Sequence, residues 1–269
     1  MDKNSYINSI FHHAKQTIKI VLKNRLLSHI QIYLKHFGYR NRLRRNKNIR
    51  LGHPETEAIN AFISALEDGD TVWDIGAMRG SYTQYICAAV QPEAIHAFEP
   101  NPLHFENCKQ TVSFLPGKFT KKAHQVALSD EPGSFYFATE MPADANTSAG
   151  AIVNESELNR FDPENIVKVP VKTGDQVIQN GGSAPPTALK IDVEGAEMNV
   201  LNGLSRTFSA GDIRTILCEV HLPTEGPSQS IEDFGYSRTD LHDFFEKRGY
   251  TVRKVNQRDR DYHILAVRN

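Results

Sequence analysis

Residues 71–83, TVWDIGAMRGSYT, constrain the fold more than any other stretch of the chain. An apolar run ends at Asp74, a turn carrying Gly76 and Gly80 follows, and a helix is expected from near Ser81. Strand, glycine turn and helix in this order let a backbone approach a nucleotide-like ligand closely, because glycine has no Cβ to block it. The pattern then recurs. Val72–Ile75, Ala94–Glu99, His124–Leu128, Ala188–Val193 and Ile213–Val220 read as short apolar strands, with helical segments at Tyr82–Val90, Leu103–Leu115 and Ala196–Leu204. Such alternation predicts an α/β fold with a mostly parallel sheet covered by helices on both faces.

The remaining segments frame that unit. Pro54–Leu66 is expected to be a lead-in helix, closed by the turn residues Asp68, Gly69 and Asp70. Ser134–Ala138 alternates in the manner of a hairpin partner. Residues 139–165 lack a clear period, and a loop of that length inside a domain is expected to be a lid or binding loop. Val167–Val171 reads as a strand and Gly174–Gln179 as a helical turn. After a loop-like stretch at 222–237 come a helix at Leu241–Lys247 and an antiparallel pair, Val252–Val255 with His263–Val267. A chain of 269 residues has room for one such domain, here 51–269, and an N-terminal extension, 1–50.

That extension has its own electrostatics. Residues 1–50 hold twelve Lys and Arg against a single acid, Asp2, a charge of +11 within a chain whose net charge is −1. Residues 5–37 place apolar side chains at helical steps, and the cluster RNRLRRNKNIR follows Gly38. A basic amphipathic helix can pack on its own acidic domain, lie on an anionic membrane or grip nucleic acid. Nucleic acid is the least expected partner, because no aromatic residue interleaves the basic positions 40–50. No run reaches the ~18 apolar residues that span a bilayer, and no signal-peptide pattern is present. Three scattered cysteines, Cys87, Cys108 and Cys218, suggest no zinc cluster or disulfide framework. A cytoplasmic protein with possible peripheral membrane contact is the expectation.

Open parallel sheets bind ligands beyond the carboxyl ends of their strands. The polar residues ending the expected strands are Asp74 and Gly76, then Glu99, Ser129 and Asp130, Asp192 and Glu194, and Glu219 and His221. Several carboxylates at one edge call for a ligand, a cation or hydrogen-bond donors to offset their repulsion. Glu99 can accept hydrogen bonds from ribose hydroxyls or cap the helix that follows Pro100. The first turn reads G-A-M-R-G rather than G-x-G-x-x-G, which suits a nucleoside better than a pyrophosphate and argues against NAD(P).

The motifs DIGAMRG, AFEPNP, VALSD, LKIDVEGAE and CEVH, in this order over roughly residues 70–267, resemble the FkbM-type family of S-adenosylmethionine (SAM)-dependent methyltransferases. The resemblance implies a Rossmann-like class I fold, a seven-stranded mostly parallel sheet with an antiparallel terminal strand, and SAM as donor. It also implies a hydroxyl acceptor on a sugar, glycan or secondary metabolite. Carried onto this chain, the donor site comprises Asp74, Gly76, Ala77, Gly80, Glu99, Asn101, Ser129 and Asp130. Met78 stands where the family usually has Asn, and Gly174–Asp175 where it has Leu-Asp.

For the chemistry, His221 is the expected general base, because imidazole titrates near neutral pH. Asp192, Glu194 and Glu219 are expected beside it, to orient the acceptor or take its proton. Asp192, Glu219 and His221 also form a donor set suited to Mg²⁺ or Mn²⁺, although the same acids can hold donor and acceptor hydroxyls, so no metal is assigned. Glu197, on the following helix, reads as a structural ion-pair partner. Two other functions compete: a nicotinamide-dependent oxidoreductase on the same fold type, and a non-catalytic binding protein using the basic segment.

Overall fold

A computed structural model describes residues 55–138, 151–153, 158, 159, 161–223 and 229–268, together with Gln31. The basic helix expected at 5–37, the cluster that follows it and most of the loop 139–165 lie outside the described residues.

Helix α1 (Thr56–Ala65) leads into β1 (Thr71–Ile75), α2 (Ser81–Ala89), β2 (Ala94–Phe98), α3 (Pro102–Phe114) and β3 (Thr120–His124). Then come β4 (Ala127–Leu128), β5 (Gly133–Ala138), β6 (Ala151–Val153), β7 (Ile166–Lys172), α4 (Gly174–Gln179) and β8 (Ala188–Ile191). The chain closes with α5 (Glu197–Asn202), α6 (Ser205–Ala210), β9 (Thr215–His221), α7 (Arg238–Glu246), β10 (Tyr250–Gln257) and β11 (Asp261–Arg268).

Seven strands form one sheet in the order β10-β11-β9-β8-β1-β2-β3. All pairings from β9 to β3 are parallel, while β11 runs antiparallel to both β9 and β10. The Rossmann-like arrangement and the terminal antiparallel pair read from the sequence are both present. Every residue of β1, β2, β8 and β9 is buried, as expected for strands covered on both faces. Alternate residues of each strand enter opposite cores. Val72, Ile95, Leu217 and Leu265 pack with Ala58 and Phe62 of α1 and Ile86 of α2. Trp73, Ile75, Leu189 and Ile191 pack on the other face with Val200 and Leu201 of α5, Phe208 of α6 and Phe245 of α7.

The third strand departs from the sequence reading. It occupies Thr120–His124 rather than His124–Leu128, and Ala127–Leu128 instead begins a second sheet, β4-β7-β5-β6. The reason is its edge position: β3 is largely half-exposed and carries Lys121 and Lys122, so it shows no apolar run. The expected helix at 196–204 is α5, which stops at Asn202, and a second helix that was not expected, α6, follows it. Gly203 separates them, and a Cβ there would stand 2.1 Å from the Ser129 carbonyl oxygen. That close approach docks the α5–α6 corner on the end of β4.

Local sequence accounts for several helix starts. Asn101 caps α3, accepting from the Leu103 amide at 2.9 Å with Pro102 in the first turn. Thr173 with Gln176, and Ser237 with Asp240, form capping boxes on α4 and α7.

Candidate active site

Strand order reverses between β1 and β8, so their carboxyl ends open a crevice there. Gly76 follows β1 with φ +74°, and a Cβ on it would stand 1.7 Å from the Asp192 carbonyl oxygen. Two backbones therefore touch at the floor of the crevice, and only glycine permits it. Both Gly76 and Ala77 donate their amides to the Phe98 carbonyl at 3.0 Å, tying this turn to the end of β2. Asp74 is fully buried and points away from the opening. Its Oδ2 accepts from the Thr83 amide at 3.0 Å and hydroxyl at 2.6 Å, anchoring the first turn of α2, which begins after Gly80.

Glu99 is held by the backbone of two turns. Its Oε2 accepts from the Met78 amide at 2.7 Å and its Oε1 from the Asn101 amide at 2.8 Å. Met78 reaches it by adopting φ +49°, the left-handed region that side chains with a Cβ rarely enter. Burial pushes the Glu99 carboxyl up to about 7, against the lowering pull of the two amides. Each oxygen keeps a lone pair for a further donor, which is what a ribose hydroxyl would need.

On the other side of the crevice the charges are dense and paired. Lys190, only 4% exposed, donates to the Gly76 carbonyl at 2.8 Å and to Asp192 Oδ2 at 3.1 Å, with Asp74 Oδ1 at 3.5 Å. His221 Nδ1 lies 2.7 Å from Glu197 Oε1, while its Nε2 faces Glu194 at 3.6 Å, Glu219 at 3.7 Å and Asp192 at 3.9 Å. Burial pulls the imidazole down, but Glu197, Glu194 and Asp192 outweigh it and raise its pKa to about 10. The charged ring is thereby favoured over the neutral imidazole that a general base requires. Glu194 is the most exposed carboxylate of the group, its own pKa raised by burial. It too sits in left-handed backbone, at φ +52°.

Glu219 is engaged at both oxygens. Arg258, from the turn between β10 and β11, binds Oε1, and His263 Nε2 lies 3.0 Å from Oε2. Arg258 also reaches Asp261 at 2.5 Å and Glu55 at 2.7 Å, and Glu55 in turn accepts from the Tyr82 hydroxyl at 2.9 Å. Ligand atoms of Asp192, Glu219 and His221 lie within 4.8 Å of one another, the grouping expected for a divalent ion. Arg258 and His263 take the two oxygens of Glu219, Lys190 takes one oxygen of Asp192, and Glu197 takes Nδ1 of His221.

The crevice itself runs from Gly76, Met78, Glu99, Asp192 and Glu194 to an apolar wall. That wall is Phe98, Val126 and Leu128 beside Phe135, Phe137 and Val169 of the second sheet. Ser129 and Asp130 lie just outside this lining, where Asp130 accepts from the Asn199 amide group at 3.0 Å and from Ser129. Lys190, Arg258 and Tyr82 were not singled out from the sequence. Lys190 did leave a signal there: a lysine in a buried apolar strand, two residues before Asp192 and thus on the same face. Arg258 left none, because Glu219 and Glu55, the partners that tie it to the site, are 39 and 203 residues away.

Residues 74–252 match the family described as the methyltransferase FkbM domain, and the chain belongs to that family. It is similar to the hexuronic acid methyltransferase AglP of Haloferax volcanii, 25% identical over 167 residues, covering 62% of each chain. It is also similar to the 31-O-demethyl-FK506 methyltransferase FkbM of Streptomyces tacrolimicus, 28% identical over 58% of this chain and 67% of that one. Among solved structures, the methyltransferase FkbM from Methylobacillus flagellatus aligns with a TM-score of 0.49 at 15% identity, over 75% of this chain and 44% of that one. The chain thus spans about three fifths of the length of the first of these relatives. No described helix is long and apolar enough to cross a membrane.

Proposed function

We propose that this FkbM-family chain is a SAM-dependent methyltransferase that methylates a hydroxyl oxygen of a sugar, glycan or other small molecule. The observation carrying this reading is the pair of carboxylates on opposite sides of one crevice. Glu99 is fixed by two backbone amides on the β2 side, and Glu194 is held in strained backbone on the β8 side. Gly76, whose lack of a Cβ the Asp192 backbone requires, lines the crevice beside Met78 and Glu99, a place that suits a nucleoside-bearing donor. Two relatives whose names specify a hexuronic acid and a 31-O-demethyl compound support oxygen as the receiving atom.

When bound, the donor supplies a methyl group already activated on a sulfonium. The chain's own work is alignment and proton removal. Glu99 and the turn Gly76–Ala77 hold the nucleoside, with Asn101, Asp74 and Gly80 shaping their supports. Ser129 and Asp130 border the same side. Glu194 takes the acceptor's hydroxyl proton as the C–O bond forms and the C–S bond breaks. A carboxylate with a raised pKa is a better base than an ordinary one. His221, as an imidazolium, orients Glu194 and Asp192. Glu219, held by Arg258 and His263, faces the same ring nitrogen at 3.7 Å. Fixed alignment of this kind accounts for up to ~7–11 kcal/mol of barrier in favourable cases.

The domain proper begins near residue 51, and residues 1–50 are a basic extension that docks on the acidic domain or on an anionic surface. Thermal denaturation tests the donor assignment. Tm should rise with SAM or S-adenosylhomocysteine and stay unchanged with NAD or NADP. A shift with the nicotinamide cofactors alone would replace this reading with an oxidoreductase.

A further inference from the structure

We propose that Lys190 is a positioning residue that locks the donor-side glycine turn to the carboxylate at the end of the neighbouring strand. The proposal rests on the donor reading above and concerns a residue that does not line the crevice.

The β1–β8 register ends at Ile75 and Ile191, and one further backbone bond, from the Asp192 amide to the Ile75 carbonyl at 3.1 Å, continues it. Past that point the backbones of Gly76 and Asp192 stay in contact, a Cβ on Gly76 meeting the Asp192 carbonyl oxygen at 1.7 Å, although no ladder bond joins them. The Lys190 ammonium is the next link. Its three protons have three oxygens within reach: the Gly76 carbonyl, Asp192 Oδ2 and Asp74 Oδ1. The Tyr82 ring lies beneath it, with the ammonium 5.0 Å from the ring centroid. An ammonium suits this place because it donates to a carbonyl and to carboxylates in one position. One positive charge thereby stands between two carboxylates where the backbones of Gly76 and Asp192 are in contact. Without the ammonium, the carbonyl loses its donor and the turn is free to shift relative to Asp192. A displacement of an ångström at such a point is enough to spoil alignment.

The test measures S-adenosylhomocysteine affinity by calorimetry at a temperature where every variant is folded. Lys190→Met keeps the stem and removes the charge. Phe208→Leu, in the aromatic cluster with Phe244 and Tyr250, is the control for lost stability alone. Lys190→Met is expected to weaken binding about tenfold, the effect of losing one charged hydrogen bond. Phe208→Leu is expected to bind as the wild type does, despite a lower Tm. Should Lys190→Met not fold, Lys190→Gln, which keeps N–H donors without the charge, is read by the same criterion. A loss no greater than that of Phe208→Leu overturns the proposal and leaves Lys190 a structural ion pair. Failure of the wild-type protein to bind S-adenosylhomocysteine would instead remove the donor reading, a distinct result that also withdraws the role given to Lys190.

Discussion

Glu197 Oε1 lies 2.7 Å from His221 Nδ1, and both residues are buried, so a carboxylate from the first turn of α5 holds an imidazolium at the end of β9. Because the folded pKa of His221 is raised from 6.5 to about 10, its contribution to stability is complete below 6.5 and is lost as pH rises through 10. At about 1.4 kcal/mol per unit, this is a large pH-dependent term for one residue. Glu197→Gln should flatten the decline of Tm between pH 7 and 10 and return the His221 ring signal in NMR titration toward the ordinary histidine range. An unchanged His221 titration in that variant would mean that Glu197 does not hold the charge.

Glu194 combines a catalytic assignment with a strained backbone, and two substitutions separate these. Glu194→Gln keeps the strain and removes the base, and should lower methyl transfer by about 10²-fold or more with little change in Tm. Glu194→Gly relieves a left-handed conformation that costs side chains with a Cβ about 1–2 kcal/mol, and should be at least as stable as the wild type while equally inactive. Retained turnover in both would move the base elsewhere.

Met78 carries the same strain on the donor side. Met78→Asn places there a residue that tolerates φ near +50° and keeps the amide that binds Glu99. Stability should rise by about 0.5–1 kcal/mol, or a Tm gain of roughly 1–4 °C for a domain of this size, read by calorimetry.

Glu99 links donor affinity to pH. Its raised pKa makes the neutral form the resting one below about 7, so its contribution to apo stability is complete below 4.5 and lost as pH rises through 7. Ligand hydroxyls favour the charged carboxylate, so S-adenosylhomocysteine should bind more tightly at pH 8 than at pH 6 and release protons on binding near pH 7. Calorimetry in two buffers of different ionisation heat measures that release directly. Binding with no proton exchange would separate Glu99 from the ligand.

The strands buried on both faces were legible because burial forces a continuous apolar run, as in TVWDI and ALKI. Glycine turns and capping pairs were legible because their geometry depends on one to four neighbouring residues. Strand β3 was misplaced because an edge strand is under no such pressure, and Lys121 and Lys122 conceal it. The second sheet was out of reach beyond its hairpin, since β4 pairs with β7 across more than forty residues.

The candidate site divides the same way. The sequence by itself determined which residues end the central strands, and hence that Asp74, Glu99, Asp192, Glu194, Glu219 and His221 gather near one edge. It also identified the turn at Gly76 as a place of close approach, expected there for a ligand, whereas the structure sets the Asp192 backbone against it. Tertiary structure alone decided which partners each of them meets. Glu197 meets His221 across 24 residues, Arg258 meets Glu219 across 39, and Lys190 reaches Gly76 across 114. Charge state depends on the distance and burial of every neighbour, and those are set by the packing of strands and helices rather than by order along the chain.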